Sequence, residues 1–447
     1  MPLPIKIATT DQCLSARGGL VLWREVLDHL DLKRRLSTSL PVYKIATAAS
    51  PYEKFEATVL GMAAGADCID EMDRLALDPA FDAVTGELVT ARAYGDYYRL
   101  FDAQLLKNVT YALIDVAIEL RRRLGLLGDT FTLKIDSTNH EQHGEKIEAC
   151  ETNYKGKWGL DSILAFDELG FQYWIEPRAG ATYTSNGSSE VIDAILRRLP
   201  RKIRRFVLAD SGFCNNAFFT TCQTANAKFV CAMRSLMYRP LLSRVKHWKS
   251  SKKIVFNDKR PCEIGSCVYY PKGGREALRV VFMRALRPNE QSNALFSDAR
   301  YDYHAFVTNL GEHDGMKNED VILFYRKRAD VERFIAEIKN GFDLKHLPCQ
   351  SLKANHAYAL MAAFAQNLVR YTAYIENPKR PHFAKVLRFK VLMLPVQVVR
   401  HARSVTFRFM EHHEREVKHW LSKIKIQFGI VFADNGMAPP LIENLYY

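Results

Sequence analysis

Three acids stand at positions where carboxylates can do chemistry. Asp136 closes the alternating apolar stretch Phe131-Thr-Leu-Lys-Ile-Asp136 and is followed by Ser137 and Thr138. Asp210 closes Arg205-Phe-Val-Leu-Ala209 and opens Asp210-Ser-Gly-Phe213. Each reads as an acid at a strand end, which is where ligands gather in α/β folds. Two such acids on neighbouring strands could hold a hard divalent cation through oxygen. Taken singly, each could equally cap the turn that follows it. The third acid is Glu332, in a run where Tyr325, Arg328, Glu332 and Lys339 are three, four and seven residues apart. On a continuous helix these four share roughly one face. A tyrosine, two cations and an acid on one face would suit DNA phosphates beside a bound metal. A solvated, salt-bridged face would show the same pattern.

The elements that must position these residues follow from the period of the apolar residues. Residues 1–125 read as a helical domain, with helical spacing over Gly19–Leu36 and Ala103–Leu124 and shorter helices at Phe55–Ala64, Cys68–Leu77 and Ala91–Leu100. A helix-turn-helix bundle that reads DNA and a packing or dimerisation domain both fit this pattern. From Thr130 the period changes to that of strands. Phe131–Asp136, Ser162–Phe166 and Phe171–Ile175 predict three strands, Ser188–Leu199 an amphipathic helix, Arg205–Ala209 a strand, Asn216–Thr224 a helix and Lys228–Met233 a further strand. That order, β-β-β-α-β-α-β, is an α/β layer fold. A β-rich stretch follows, a helix running from Glu319 through Lys339, and a second helix over about Leu352–Tyr374. The final segment mixes a strand at Ser404–Phe409 with a helix at Glu411–Lys425.

Composition narrows the function. The chain of 447 residues carries a net charge of +13, with 48% hydrophobic and 25% charged residues, as soluble globular proteins do. Residues 1–125 are slightly acidic, at 15 Lys/Arg against 17 Asp/Glu, so the basic surplus lies wholly in residues 126–447. A surplus of that size fits a polyanionic partner held by phosphate neutralisation, or simply a soluble basic enzyme. No apolar run is long enough to span a membrane and the N-terminus lacks a secretory layout, so a cytoplasmic protein is expected. The nine cysteines are scattered and never spaced as CxxC, which fits reduced thiols better than a structural zinc.

Taken together, the motifs carry a resemblance. Tyr325-x2-Arg328-x3-Glu332-x6-Lys339 resembles the YREK signature of bacterial insertion-sequence DDE transposases, a group that includes the Tn-five enzyme. Asp136-Ser-Thr138, Gln142-His143-Gly144, Tyr154-Lys-Gly156, Pro177-Arg178-Ala-Gly180, Asp210-Ser-Gly-Phe213 and Ala365-Gln-Asn367-Leu368 resemble, within that group, the insertion-sequence family numbered thirteen-eighty. One departure is Ala181, where that family commonly has Asn. The resemblance implies an RNase H-like catalytic core over residues 126–234 and 316–375, interrupted by a β-rich insertion at 235–315. A helical N-terminal domain at 1–125, a candidate DNA-end binder, and a mixed, mainly helical C-terminal region at 376–447 flank it. It also implies that Asp136, Asp210 and Glu332 are catalytic and hold two Mg²⁺ ions, with Mn²⁺ as an alternative. Tyr325, Arg328 and Lys339 would grip DNA phosphates, and His143 would approach the scissile phosphate. The implied partners are double-stranded DNA, both transposon ends and target, and a second copy of the chain in a paired-end complex. The implied activity is cut-and-paste transposition from terminal inverted repeats. An RNase H-like nuclease without strand transfer and a transposase-derived DNA-binding regulator are the competing readings.

Overall fold

A computed structural model describes residues 5–43, 48–274, 276–288 and 300–430. Residues 289–299 of the expected insertion and 431–447 of the expected C-terminal region lie outside the described residues. The protein is a mixed α/β molecule that divides into two compact units.

The larger unit comprises residues 98–118 and 127–363 and is built on a ten-stranded sheet. Its strands are β1 (Thr130–Glu141), β2 (Glu151–Thr152), β3 (Trp158–Phe166), β4 (Gln172–Arg178), β5 (Arg204–Ala209), β6 (Ala227–Ala232), β7 (Lys249–Val255), β8 (Pro261–Tyr269), β9 (Leu278–Leu286) and β10 (Tyr301–Thr308). They lie in the order β2-β3-β1-β5-β6-β10-β9-β8-β7, with β4 on the other side of β3. β1, β3 and β4 form an antiparallel meander, whereas β5 and β6 run parallel to β1. The helices Ser188–Arg198 (α1) and Asn216–Thr224 (α2) supply the two crossovers that parallel strands require. Phe131, Leu133 and Ile135 on one face of β1 are fully buried, and Lys134 and Asp136 on the other are buried too, as expected for a strand covered on both faces.

The insertion strands β7–β10 are not a separate layer. β10 pairs antiparallel with β6, matching Phe306 to Ala232 and Thr308 to Val230, so the same sheet continues through them. The helix Asn318–Arg326 (α3) buries Val321 and Ile322 in an apolar cluster with Leu208, Val230, Ile264, Val281 and Phe306. The helix Asp330–Gly341 (α4) buries Val331, Phe334 and Ile338. Gly170 makes room for the Phe334 ring: its φ is +87°, and a Cβ there would stand 2.6 Å from that ring.

The smaller unit joins the described residues up to Tyr97 with 119–126 and those from Phe364 onward. The expected helix over Gly19–Leu36 is split into Leu20–Leu30 and Leu32–Arg35, and the expected Phe55–Ala64 helix runs from Pro51 to Ala64, starting with a capping box between Ser50 and Glu53. The two ends of the chain are tied together inside this unit. Trp23 Nε1 donates to Thr372 Oγ1 at 3.1 Å, and Arg388 donates to the carbonyls of Met62 and Ala63. A three-stranded sheet formed by Leu14–Ser15, Val396–His401 and Ser404–Phe409 completes it.

Candidate active site

Asp136 is not at a strand end. β1 runs on for five residues to Glu141, paired with β3 throughout, and what stops at Ile135 is the parallel pairing with β5. β5 ends at Ala209, the partner of Ile135, so Asp136 and Asp210 are next neighbours across two parallel strands. The crevice beyond the end of β5 therefore has one acid on its floor, in mid-strand, and one on its rim. Asp136 is buried and its Oδ1 accepts from the Ser137 amide at 2.8 Å. The Asp210 side chain is 37% exposed, and its Oδ1 accepts from the Gly212 amide at 2.8 Å. Gly212 leaves room for both neighbours: a Cβ there would lie 2.8 Å from Thr184 Cγ2 and 3.1 Å from the Asp210 carboxylate, so the Thr184 side chain would have to shift.

The expected single helix through Glu332 is interrupted. α3 ends at Arg326, a 3-10 turn occupies Lys327–Ala329, and α4 starts afresh at Asp330. Despite the change of winding, Tyr325, Arg328 and Glu332 all lie near enough to Asp136 to be felt there or at Arg328, whereas Lys339 meets the distal part of β1. Tyr325 packs on the insertion, its ring centroid 4.6 Å from that of Phe306, and burial pushes its hydroxyl pKa up. Arg328 points into the crevice, where Nη2 donates to Asp136 Oδ2 at 2.6 Å and stands 3.8 Å from Asp210 Oδ2. Glu332 is exposed in the first turn of α4. Lys339 is half-buried and donates to the Asn139 carbonyl in the distal part of β1; burial lowers its pKa. His143 is exposed just beyond β1, with its ring 5.3 Å from that of His346.

Electrostatically the crevice is an acid pocket held by one guanidinium. Burial raises the Asp136 carboxyl; Arg328 pulls it back, while the charges of Asp210 and Glu332 raise it further, to about 6. Among the described residues no three His, Cys, Asp or Glu side chains are gathered closely enough to share one ion. Two carboxylates and a cation are. The donor set still suits a divalent metal, because hard carboxylate oxygens converge on a single positive charge and Glu332 is close enough to be felt at Asp136.

Three supporting contacts were missed in the sequence. Arg178, quoted above only as part of a motif, donates through Nε to Asp161 at 3.0 Å and through Nη1 to the carbonyls of Thr184 and Asn186. It thus ties β3 to the loop that carries Thr184 against Gly212. Lys134 is buried beside Asp330 at 3.3 Å, which fixes the start of α4 against β1. His140, not His143, is the buried histidine: Nδ1 pairs with the Leu344 carbonyl at 2.6 Å and Nε2 with Ser162 Oγ at 2.8 Å. Alternation on β1 could have marked Lys134 and His140 as sharing the inward face with Asp136. All nine cysteines are free thiols.

Adjacent carboxylates at the end of a parallel strand pair, with an arginine between them, make an acid-centred crevice in an α/β sheet. The chain belongs to the transposase DDE domain group 1 family, whose model matches residues 3–426. It is therefore a DDE transposase, of a family of DNA-cleaving and strand-transfer enzymes that generally use divalent metal ions. A search of curated proteins finds no match. Among the described residues no helix is long and apolar enough to cross a membrane.

Proposed function

We propose that this transposase binds the terminal inverted repeats of its own element and moves it by a cut-and-paste route, with Asp136, Asp210 and Glu332 as the catalytic acids. The observation that carries the reading is the convergence of Asp136 and Asp210, from neighbouring strands, on one positive charge. The antiparallel meander followed by two parallel strands and their crossover helices supports an RNase H-like core. Asp136 and Asp210 would hold metal on the sheet side and Glu332 from α4, giving an all-oxygen set that suits Mg²⁺ or Mn²⁺. Two such ions, when bound, supply an activated water or DNA 3′-OH and stabilise the leaving oxygen of an in-line displacement.

The protein's own residues do the rest. Asp136 must give up its proton before it can ligate, since about half of it is protonated near pH 6. Arg328 has the fork that matches a phosphate, and Lys339 and Tyr325 lie to either side of it along the chain. His143, exposed at the end of β1, is placed to meet DNA that enters along the distal half of that strand. A second copy of the chain is needed because two ends must be cut and joined together.

The test uses end DNA taken from the sequence flanking the reading frame. Asp136→Asn, Asp210→Asn and Glu332→Gln should each lower cleavage in Mg²⁺ by about a thousandfold or more while end binding persists. Normal nicking by any of the three removes that residue from the set. Wild-type cleavage without joined products would leave a nuclease rather than a transposase of this type.

A further inference from the structure

Arg178 is buried and Arg328 largely so, and both face carboxylates, yet they are held very differently. Arg178 is a strut, with Nε and Nη2 on Asp161 and Nη1 on two backbone carbonyls. Arg328 reaches Asp136 and Asp210 through a single nitrogen, Nη2, and its buried Nε has no partner among the described residues. Among the described residues its head makes no other hydrogen bond or ion pair, and Tyr325 and Glu332 act on it only through their charge. It also stands in the 3-10 turn between two helices, a winding with poorer hydrogen-bond geometry than the α-helices on either side.

Two neighbouring carboxylates, one buried, are unstable without a cation between them. A guanidinium fills that need here, in the crevice where a metal ion would have to bind. We infer that Arg328 is the placeholder for the divalent cation: in DNA-free protein it neutralises Asp136 and Asp210, and it yields them when a DNA phosphate offers its guanidinium another anion. This rests on the metal-site reading above and adds an order to it. The metal site is masked until DNA is present, so DNA and cation each raise the other's affinity, as linkage requires. A buried arginine cannot simply leave its partners, because an unpaired charge in that crevice is costly. A bidentate phosphate replaces them and also satisfies the idle Nε. The consequence is protective, since an enzyme that charges its site with metal only on DNA does not carry a loaded nuclease through the cell.

The measurement is Mn²⁺ binding, read by the electron paramagnetic resonance signal of the free ion, with the full chain. It is made with and without a pre-cleaved end duplex, which offers no bond to cut. Wild type should bind Mn²⁺ between about fivefold and 150-fold more tightly with the duplex. Arg328→Met should bind Mn²⁺ without duplex at least about fivefold more tightly than wild type and gain little more from it. Arg328→Gln repeats the test with a polar side chain, should the methionine variant fail to fold. Arg328→Lys, a point charge without the fork, should fall between. Asp136→Asn should lose Mn²⁺ binding in every condition. If it does, but neither Arg328→Met nor Arg328→Gln binds more tightly than wild type without duplex, the placeholder role is wrong and the metal site stands. If Asp136→Asn binds Mn²⁺ like wild type, the metal-site reading fails and takes this inference with it.

Discussion

The two halves of the ten-stranded sheet treat charge in opposite ways. Around β1, β3 and β5 charged groups are buried and answered: Asp136 by Arg328, Asp161 by Arg178, Lys134 by Asp330 and Lys339 by the Asn139 carbonyl. At the far edge, the chain from Arg239 to Lys253 holds six cations and no acid. Arg239, Arg244, Lys246, Lys249, Lys252 and Lys253 are all exposed, and among the described residues none makes an ion pair. Buried pairs cost desolvation and return geometry, so they belong where atoms must be positioned. Exposed, unpaired cations give no geometry but attract polyanions over a Debye length. One half of the sheet thus buries paired charge, and the other exposes unpaired cations of the kind that could attract a phosphate backbone.

The sharpest way to break that contrast is to remove a strut from the chemical half. Arg178→Ala leaves Asp161 buried without its partner and should cost about 3–5 kcal/mol, read as a lower urea midpoint. It should also free the loop through Thr184, which lies against Gly212. An Arg178→Ala protein as stable as wild type would mean that the pair is ornamental and the contrast false.

The basic edge makes a smaller and differently shaped prediction. Changing Lys246, Lys249, Lys252 and Lys253 together to Gln should leave the urea midpoint unchanged, because exposed charges contribute little to stability. Affinity for DNA of any sequence should fall, and the slope of log affinity against log salt should flatten by up to about 3–4 units. An unchanged slope would return this edge to the status of a solvated surface. The smallest effect concerns pH. Burial holds the His140 ring down at about 3 and the His356 ring down at about 4, both below the ordinary value of 6.5. Folding keeps both rings neutral, so their contribution is complete above pH 6.5 and is lost as pH falls toward the folded values. At pH 5 each should cost about 2 kcal/mol. Asp136, whose folded value is raised, works in the opposite direction, so the quantity to compare is the pH dependence of wild type against His140→Gln. The stability lost between pH 7 and pH 5 should shrink by about 2 kcal/mol in the variant; no change would mean that His140 is not held neutral.

Much of the chemical half could be read from periodicity. Strands at 205–209 and 228–233 and helices at 188–199 and 216–224 lie within a residue or so of their final bounds, because apolar spacing is a local signal that burial then enforces. The same locality explains the errors. β1 was read as ending at Asp136 because its apolar alternation stops there. Its backbone continues to Glu141 because β3 is present to pair with it. The helix through Glu332 was read as unbroken because no Pro or Gly interrupts it. The turn at Lys327–Ala329 separates α3, which packs on the insertion cluster, from α4, which packs on β1 and Gly170.

By itself the sequence determined residue chemistry and local period: which acids could ligate, which cations lacked acidic neighbours, and which stretches would wind or extend. Tertiary structure alone decided that Asp136 and Asp210 are adjacent, that strands β7–β10 extend the sheet that carries them, and that Arg328 rather than Lys339 faces the acids. Those outcomes depend on pairs separated by 74 to 192 residues. Closing such long loops has an entropic cost that only the assembled core offsets, so no local pattern along the chain records which partners will meet.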